Sequence, residues 1–199
     1  NWIRRQIDNP GRTRIALVGS TGAGKSSFLN AVLGQEVLPV GVMQPCTAFV
    51  TLVRQSPDST YTLHIEFCTR DEWLEEIEAY AALLQPGDDA EVQDDADARR
   101  LIETTFKRLQ AVLGDHVTRD MSVDAVRSVP LPTEAEDVFS GRRPSLLRFD
   151  DGPSMQKELR ALIRGDSNLW PLVKQVSVSG PYDCLSGGLE LVDLPGVND

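Results

Sequence analysis

The sequence predicts an α/β fold built on parallel strands, and three observations carry that expectation. Residues 14–18, Arg-Ile-Ala-Leu-Val, form a short apolar run that passes straight into a glycine-rich turn and then a helical stretch. Strand, glycine loop and helix in that order open an α/β sheet. A second apolar strand, residues 189–192, ends on Asp193. Between them the hydrophobic period shifts from two to about 3.6 and back again.

The composition fits such a fold and excludes others. The 199 residues, 41% apolar and 25% charged, suffice for one domain with a real core, so disorder is excluded as the dominant state. No window approaches the roughly 18 uninterrupted apolar residues of a membrane span. The opening residues lack the basic-then-apolar order of a secretory signal, which points to an intracellular protein, cytoplasmic or nuclear. A net charge of −10 argues against a nucleic-acid-binding surface. Cys46, Cys68 and Cys184 are scattered, with no CxxC pair, as expected of free thiols in a reducing compartment. The chain starts at Asn1 and stops at Asp199 without a closing element, and it is expected to be a piece of a longer protein.

The elements follow in order. Residues 14–18 read as a strand buried on both faces. Residues 26–33 form a helix ended by Gly34, a natural C-cap. Residues 35–47, with Pro39, Gly41 and Pro45, form a loop. Two strands follow, 48–54 and 61–67, joined by the turn-forming Ser56-Pro57-Asp58-Ser59 and expected to pair as an antiparallel hairpin. In the second, Tyr61, Leu63, Ile65 and Phe67 share one face and Thr62, His64 and Glu66 the other. Thr69 and Glu72 make a capping box. Behind it Trp73, Ile77, Tyr80 and Leu84 form one helical stripe, which Ile102, Phe106, Leu109 and Leu113 repeat before Gly114.

Between those helices, residues 85–98 hold Asp88, Asp89, Glu91, Asp94, Asp95 and Asp97 and no base. The early acids read as a solvated loop and the last as first-turn charges favoured by the helix dipole. A helix near 121–128 precedes a Pro/Arg-rich loop, and Met155, Leu159 and Leu162 mark a third helix. Residues 173–179 and 189–192 return to strand. Thus 14–68 and 170–199 form a core, with 69–169 as a helical insertion.

Gly19-Ser20-Thr21-Gly22-Ala23-Gly24-Lys25-Ser26 matches GxxxxGK[ST] without a gap. The glycines let backbone N–H groups wrap an anion, and the helix start adds its positive end. Lys25 would reach the β- and γ-phosphates, Ser26 would ligate Mg²⁺, and Ser27 extends the cradle. Asp193-Leu194-Pro195-Gly196 places DxxG directly after a strand, with Asp193 toward Mg²⁺ and the Gly196 N–H toward a γ-phosphate. Enzymes specific for ATP more often carry a second acid after that aspartate. Leu194-Pro195-Gly196 tilts the choice to GTP.

The string GSTGAGKSSFLNAVLGQEVLPVGVMQPCTAFVTLV, with LVDLPGVND at the far end, resembles the dynamin superfamily of large GTPases. IEFCTRDEWLEEIE and WPLVKQVSVSGPYD are most similar to the SLIP-GC-type nuclear GTPases and their fungal relatives. The resemblance is clear over 14–80 and 170–199 and looser between. It implies a P-loop NTPase fold of the Ras-like, dynamin-type G domain, truncated here and carrying the helical insertion. It also implies GTP and Mg²⁺ as ligands, and self-association through the nucleotide face as homodimer or larger assembly. A membrane contact would have to come through regions outside the chain. Thr47 matches the switch threonine, which would bind Mg²⁺ and help place the attacking water.

Two positions depart from the dynamin pattern. Gly22 stands where dynamins have serine, and Thr21 where a glutamine helps hold the water. The spelling TGAGKSSF is instead similar to the immunity-related GTPases. The catalytic set expected by position is Lys25, Thr47 and Thr21. Val197 occupies the place where Ras-like enzymes carry a water-orienting glutamine. The N/T-K-x-D string that reads guanine does not occur in these residues, and the family places it after DxxG.

The remaining candidates read more simply. His64 is a solvated strand histidine and His116 a cap just past a helix end, neither with metal-spaced partners. Cys46 precedes Thr47 in the switch loop, and an oxidisable thiol there is the lesser reading. The leading function is Mg²⁺-dependent GTP hydrolysis. The alternatives are a nucleotide-gated scaffold that hydrolyses almost nothing and an ATP-using P-loop enzyme.

Overall fold

The computed structural model describes residues 13–40, 49–84, 96–164 and 168–196. Cys46, Thr47, Val197 and the acidic residues between 85 and 95 lie outside them. The described residues divide into two compact units: one within Asn1–Glu66, Pro144–Ser167 and Val173–Asp199, the other Phe67–Arg143 with Asn168–Leu172.

The first unit is built on a six-stranded sheet. Its strands are β1 (Thr13–Leu17), β2 (Val50–Gln55), β3 (Tyr61–Phe67), β4 (Leu146–Phe149), β5 (Val173–Gly180) and β6 (Leu189–Asp193). They lie in the order β1-β6-β2-β5-β3-β4. β1 and β6 are parallel neighbours, with Leu17 opposite Asp193, in keeping with the parallel strands that the sequence predicts. β6 runs antiparallel to β2, and β2 parallel to β5. Helix α1 (Lys25–Leu33) follows the glycine loop, and Gly34 at φ 69° ends it in the left-handed conformation. The sheet core is Leu52, Val53, Val176, Val178, Leu191 and Val192, with Leu29 and Leu33 of α1 also buried.

Three expectations change here. β2 and β3 are not hairpin partners: β5 lies between them. The five residues from Val176 to Gly180 are all buried, so β5 takes a central place. The Ser56 N–H donates to the Gly180 carbonyl at 2.7 Å, tying the start of the β2–β3 turn to β5. β1 is not buried on both faces either. Among the described residues it has one neighbour, β6, and Ile15 is 47% exposed. An apolar run shows that a strand can be buried on both faces, and what covers it is decided elsewhere.

The stretch after 128, read as a loop, holds helix Thr133–Phe139 and edge strand β4, which pairs antiparallel with β3. Both elements are short, and four or seven residues give little periodicity to read. The segment 69–169 therefore divides, its part within Pro144–Ser167 folding with the sheet. That part contains helix Gly152–Arg164, which buries Met155, Leu159 and Leu162 as its stripe predicts. The alternation in β3 is as read, Leu63 and Ile65 buried and His64 and Glu66 exposed.

The second unit contains α2 (Arg70–Leu84), α3 (Ala96–Leu113), α4 (Val123–Arg127) and α5 (Thr133–Phe139); the sheet unit's Gly152–Arg164 is α6. The capping box forms: the Thr69 N–H donates to Glu72 Oε2 at 2.8 Å, and the Glu72 N–H to Thr69 Oγ1 at 3.2 Å. Trp73, Ile77 and Tyr80 of α2 meet Phe106, Leu109 and Leu113 of α3 in one apolar cluster. The Tyr80 and Phe106 rings stack 6.2 Å apart. Arg108 of α3 forks onto Glu76 of α2, donates to the Pro171 carbonyl at 2.7 Å and lies over the Trp170 ring. A half-buried arginine with a bidentate carboxylate has a fixed geometry that an exposed pair lacks.

Candidate functional site

Parallel pairing puts the C-terminal ends of β1 and β6 side by side, where an α/β sheet presents its loops to ligands. The loop from Gly19 leaves β1 at this end. Gly22 and Gly24 have φ of 77° and 86°, a region where a side chain is strained. The Ala23 N–H closes a turn on the Ser20 carbonyl at 3.2 Å. The Phe28 N–H donates to the Gly24 carbonyl at 2.8 Å and starts α1. The N-terminal N–H groups of a helix lack intrahelical partners, so α1 offers an anion both donors and a positive dipole end.

Lys25 is half-buried. Its Nζ donates to the carbonyls of Gly19 at 2.8 Å and Ser20 at 3.0 Å, which holds the ammonium against the loop. Ser26, next along, donates its hydroxyl to Asp193 Oδ2 at 2.6 Å. Ser20, Thr21, Gly22, Ala23 and Ser27 are exposed, while Gly19, Asp193 and Gly196 are half-buried. Residues 167 positions apart are thus brought into direct contact.

Asp193 Oδ1 is buried and has no hydrogen-bond partner among the described residues. Burial pushes the Asp193 carboxyl above its ordinary range, against the Ser26 hydroxyl and the Lys25 charge, which both pull it down. An unsatisfied carboxylate oxygen beside a serine hydroxyl is a hard-oxygen donor set of the kind Mg²⁺ takes. Among the described residues no group of three or more His, Cys, Asp or Glu could hold a metal. Mg²⁺ readily takes phosphate oxygens and waters among its ligands.

A test follows from the sign of the shift. A carboxyl whose folded pKa is raised costs stability once ionised, so the metal-free protein loses stability as pH rises through that raised value. Asp193→Asn keeps an acceptor for Ser26 and removes the charge. It is expected to flatten this part of the pH–stability curve and to raise Tm at neutral pH by about 2–4 °C for each kcal/mol recovered. Parallel melting curves for wild type and variant across the acid range would refute the assignment of strain to this carboxylate.

The Dynamin family profile matches residues 15–199. The chain belongs to the dynamin family. The human Nuclear GTPase SLIP-GC is 30% identical over 195 residues, spanning 93% of this chain and 24% of its own length. The mouse protein of the same name is 28% identical over 202 residues, with the same coverage. A bacterial dynamin-like protein of Nostoc punctiforme is 43% identical over 51 residues, 26% of this chain and 7% of its own length. This dynamin-family chain thus spans about a quarter of the length of the SLIP-GC relatives it matches. None of the described helices is long and apolar enough to cross a membrane.

Sequence reading missed Asn30, a buried polar residue of α1 that bonds to Val37 and Leu38. The available signal was an amide between Leu29 and Leu33 on an otherwise apolar helix face. It also missed Glu190, which is 2% exposed and pairs with Arg14 at 2.9 Å. An acid within a predicted strand gives no hint of such burial.

Proposed function

We propose that this chain is the phosphate-binding part of a GTP hydrolase that uses Mg²⁺. The observation that carries the reading is the contact between Ser26 and Asp193 at 2.6 Å, with Asp193 Oδ1 left without a partner among the described residues. In this reading the backbone from Gly19 to Ser27 cradles the phosphates and Lys25 places a full positive charge on the β- and γ-phosphates. Ser26 and Asp193 hold the metal, joined by Thr47, and the Gly196 N–H faces the γ-phosphate. The metal supplies positive charge to phosphate oxygens when bound. Thr47 and Thr21 belong to the catalytic set with Lys25, on the family resemblance. Guanine specificity rests on family membership and on the Leu194-Pro195-Gly196 sequence after Asp193.

Nucleotide chemistry belongs to the sheet unit, and the helices of 67–143 are an insertion. The compartment is the cytoplasm or the nucleus, the latter in keeping with the name of the human relative. GTP and GDP are the ligands, and the protein associates with itself through its nucleotide face.

Val197 favours that self-association, because its side chain can neither donate nor accept a hydrogen bond to a water. Water placement then falls to backbone groups, to Thr47 or to a residue supplied by a second copy. Turnover by the full-length protein is expected to rise at least about tenfold across a hundredfold concentration range, a fraction of what a group supplied in trans can contribute. Fast turnover independent of concentration would refute catalysis by assembly. Turnover near zero at every concentration, with GTP bound, would favour the nucleotide-gated scaffold.

A further inference from the structure

The Pro/Arg-rich stretch Arg142-Arg143-Pro144-Ser145-Leu146 plays no part in the phosphate chemistry. It follows α5, where Gly141 at φ 71° turns the chain, and it runs into edge strand β4. Arg142, Pro144, Ser145 and Leu146 are exposed and Arg143 is half-buried, and residues 142–145 lie in neither helix nor strand. Pro144 has no N–H and disfavours helical geometry at Arg143, so the stretch stays irregular. Arg142 pairs with Asp137 at 2.7 Å through two exposed side chains, a surface pair that yields readily to a competing acid.

The state of its hydroxyl singles out Ser145. Exposed serines at the helix ends engage theirs with backbone: Ser122 accepts from the Ala125 N–H at 3.3 Å. Ser128 donates to the Asp124 carbonyl at 2.6 Å and Ser140 to the Glu136 carbonyl at 2.7 Å. Among the described residues no hydrogen bond engages the Ser145 hydroxyl, while its carbonyl accepts the Ile65 N–H at 2.7 Å. Leu146, directly after it, is 48% exposed and so available to an apolar pocket.

A serine kinase with an acidic cleft selects its acceptor by charge pattern, with arginines shortly before the hydroxyl and an apolar side chain just after it. Arg142 and Arg143 stand three and two residues before Ser145, and Leu146 one after. We propose that Ser145 is a phosphate acceptor for an arginine-directed serine kinase. In the transfer, Ser145 Oγ bonds to the γ-phosphorus of ATP as the bond to the β–γ bridging oxygen breaks. ADP leaves, and the hydroxyl proton passes to the kinase's carboxylate base. The product places a charge of about −1.5 to −2 where β4 begins. Two arginines alone would suit any acidic partner. An accessible hydroxyl and an accessible leucine at these spacings favour the kinase. β4 and β1 stand at opposite ends of the strand order, so the proposal does not rest on the nucleotide function above.

The test treats folded full-length protein with ATP and the catalytic subunit of cyclic-AMP-dependent kinase, which is arginine-directed. An acid-directed casein kinase runs in parallel. Mass spectrometry locates the phosphate, and rates are compared for wild type, Ser145→Ala and the double variant Arg142→Ala/Arg143→Ala. Ser145 is expected to be the main site of the first kinase and to stay unmodified by the second. The double variant should lose at least about a hundredfold in kcat/KM for phosphorylation, the worth of two charge-assisted contacts. If it fails to fold, Arg142→Ala alone changes an exposed side chain and should lose about tenfold. Phosphate chiefly on other residues, Ser145→Ala protein labelled as fast as wild type, or a rate indifferent to the arginines would each overturn the proposal. So would labelling of a synthetic peptide of residues 140–149 but not of the folded protein, because the fold would then withhold the site.

Discussion

Lys25→Ala is expected to abolish nucleotide binding while leaving the fold intact. Among the described residues Nζ bonds to the carbonyls of Gly19 and Ser20, on a half-buried side chain at the loop. Losing these two local bonds costs little stability, because the freed carbonyls lie in a loop with exposed residues on either side. With a phosphate bound the same ammonium would make charge-assisted bonds in a partly desolvated site, each worth about 1.5–3 kcal/mol. Two such bonds correspond to an affinity loss on the order of a hundredfold to ten-thousandfold. Fluorescent GTP titrated into the full-length protein measures it directly. Equal affinity of wild type and variant would remove the phosphate-loop reading altogether. A large Tm drop would mean that the lysine supports the fold and not the ligand.

The second large effect is on stability and should have the opposite signature. Trp73 is 1% exposed and belongs to the cluster that joins α2 and α3 in the helical unit. Trp73→Ala removes a large aromatic from a packed site and leaves a cavity, which costs about 3–5 kcal/mol in buried cores. Domains are stable by only about 5–15 kcal/mol, so this one substitution threatens the whole helical unit. Guanidinium unfolding followed by helical circular dichroism should show a midpoint shifted well down, or helical signal already lost in buffer. A change below about 1 kcal/mol would mean that the cluster is not packed around this side chain.

Much of the fold is legible in the chain because its signals are local. The stripe Trp73, Ile77, Tyr80 buries as read, since 3.6-residue periodicity fixes which face of a helix is apolar. The Thr69–Glu72 box forms because its partners are three residues apart. Gly34 ends α1 because a left-handed residue is cheap only for glycine. The strand, glycine loop and helix are set by a contiguous string. The parallel pairing of β1 with β6 follows from the need of two phosphate-facing motifs to share one end of a sheet.

Pairing among the other strands could not be read in this way. A tight turn between β2 and β3 suggests a hairpin, yet β5, more than a hundred residues later, lies between them. Nothing local records which edge a distant strand will choose. β4 and α5 escaped notice because such short elements carry almost no periodicity and gain their order from neighbours.

By itself the sequence determined the chemistry available: an anion-binding loop with Lys25 and Ser26, an aspartate at a strand end, and helices with marked apolar faces. Only the tertiary structure decided that Ser26 touches Asp193, that one Asp193 oxygen is buried without a partner among the described residues, and that Asn30 clamps the chain at Val37 and Leu38. The physical reason is that residue type and spacing fix what a group can bond. Burial and partnership depend on long-range pairing, which brings together residues as far apart as 26 and 193.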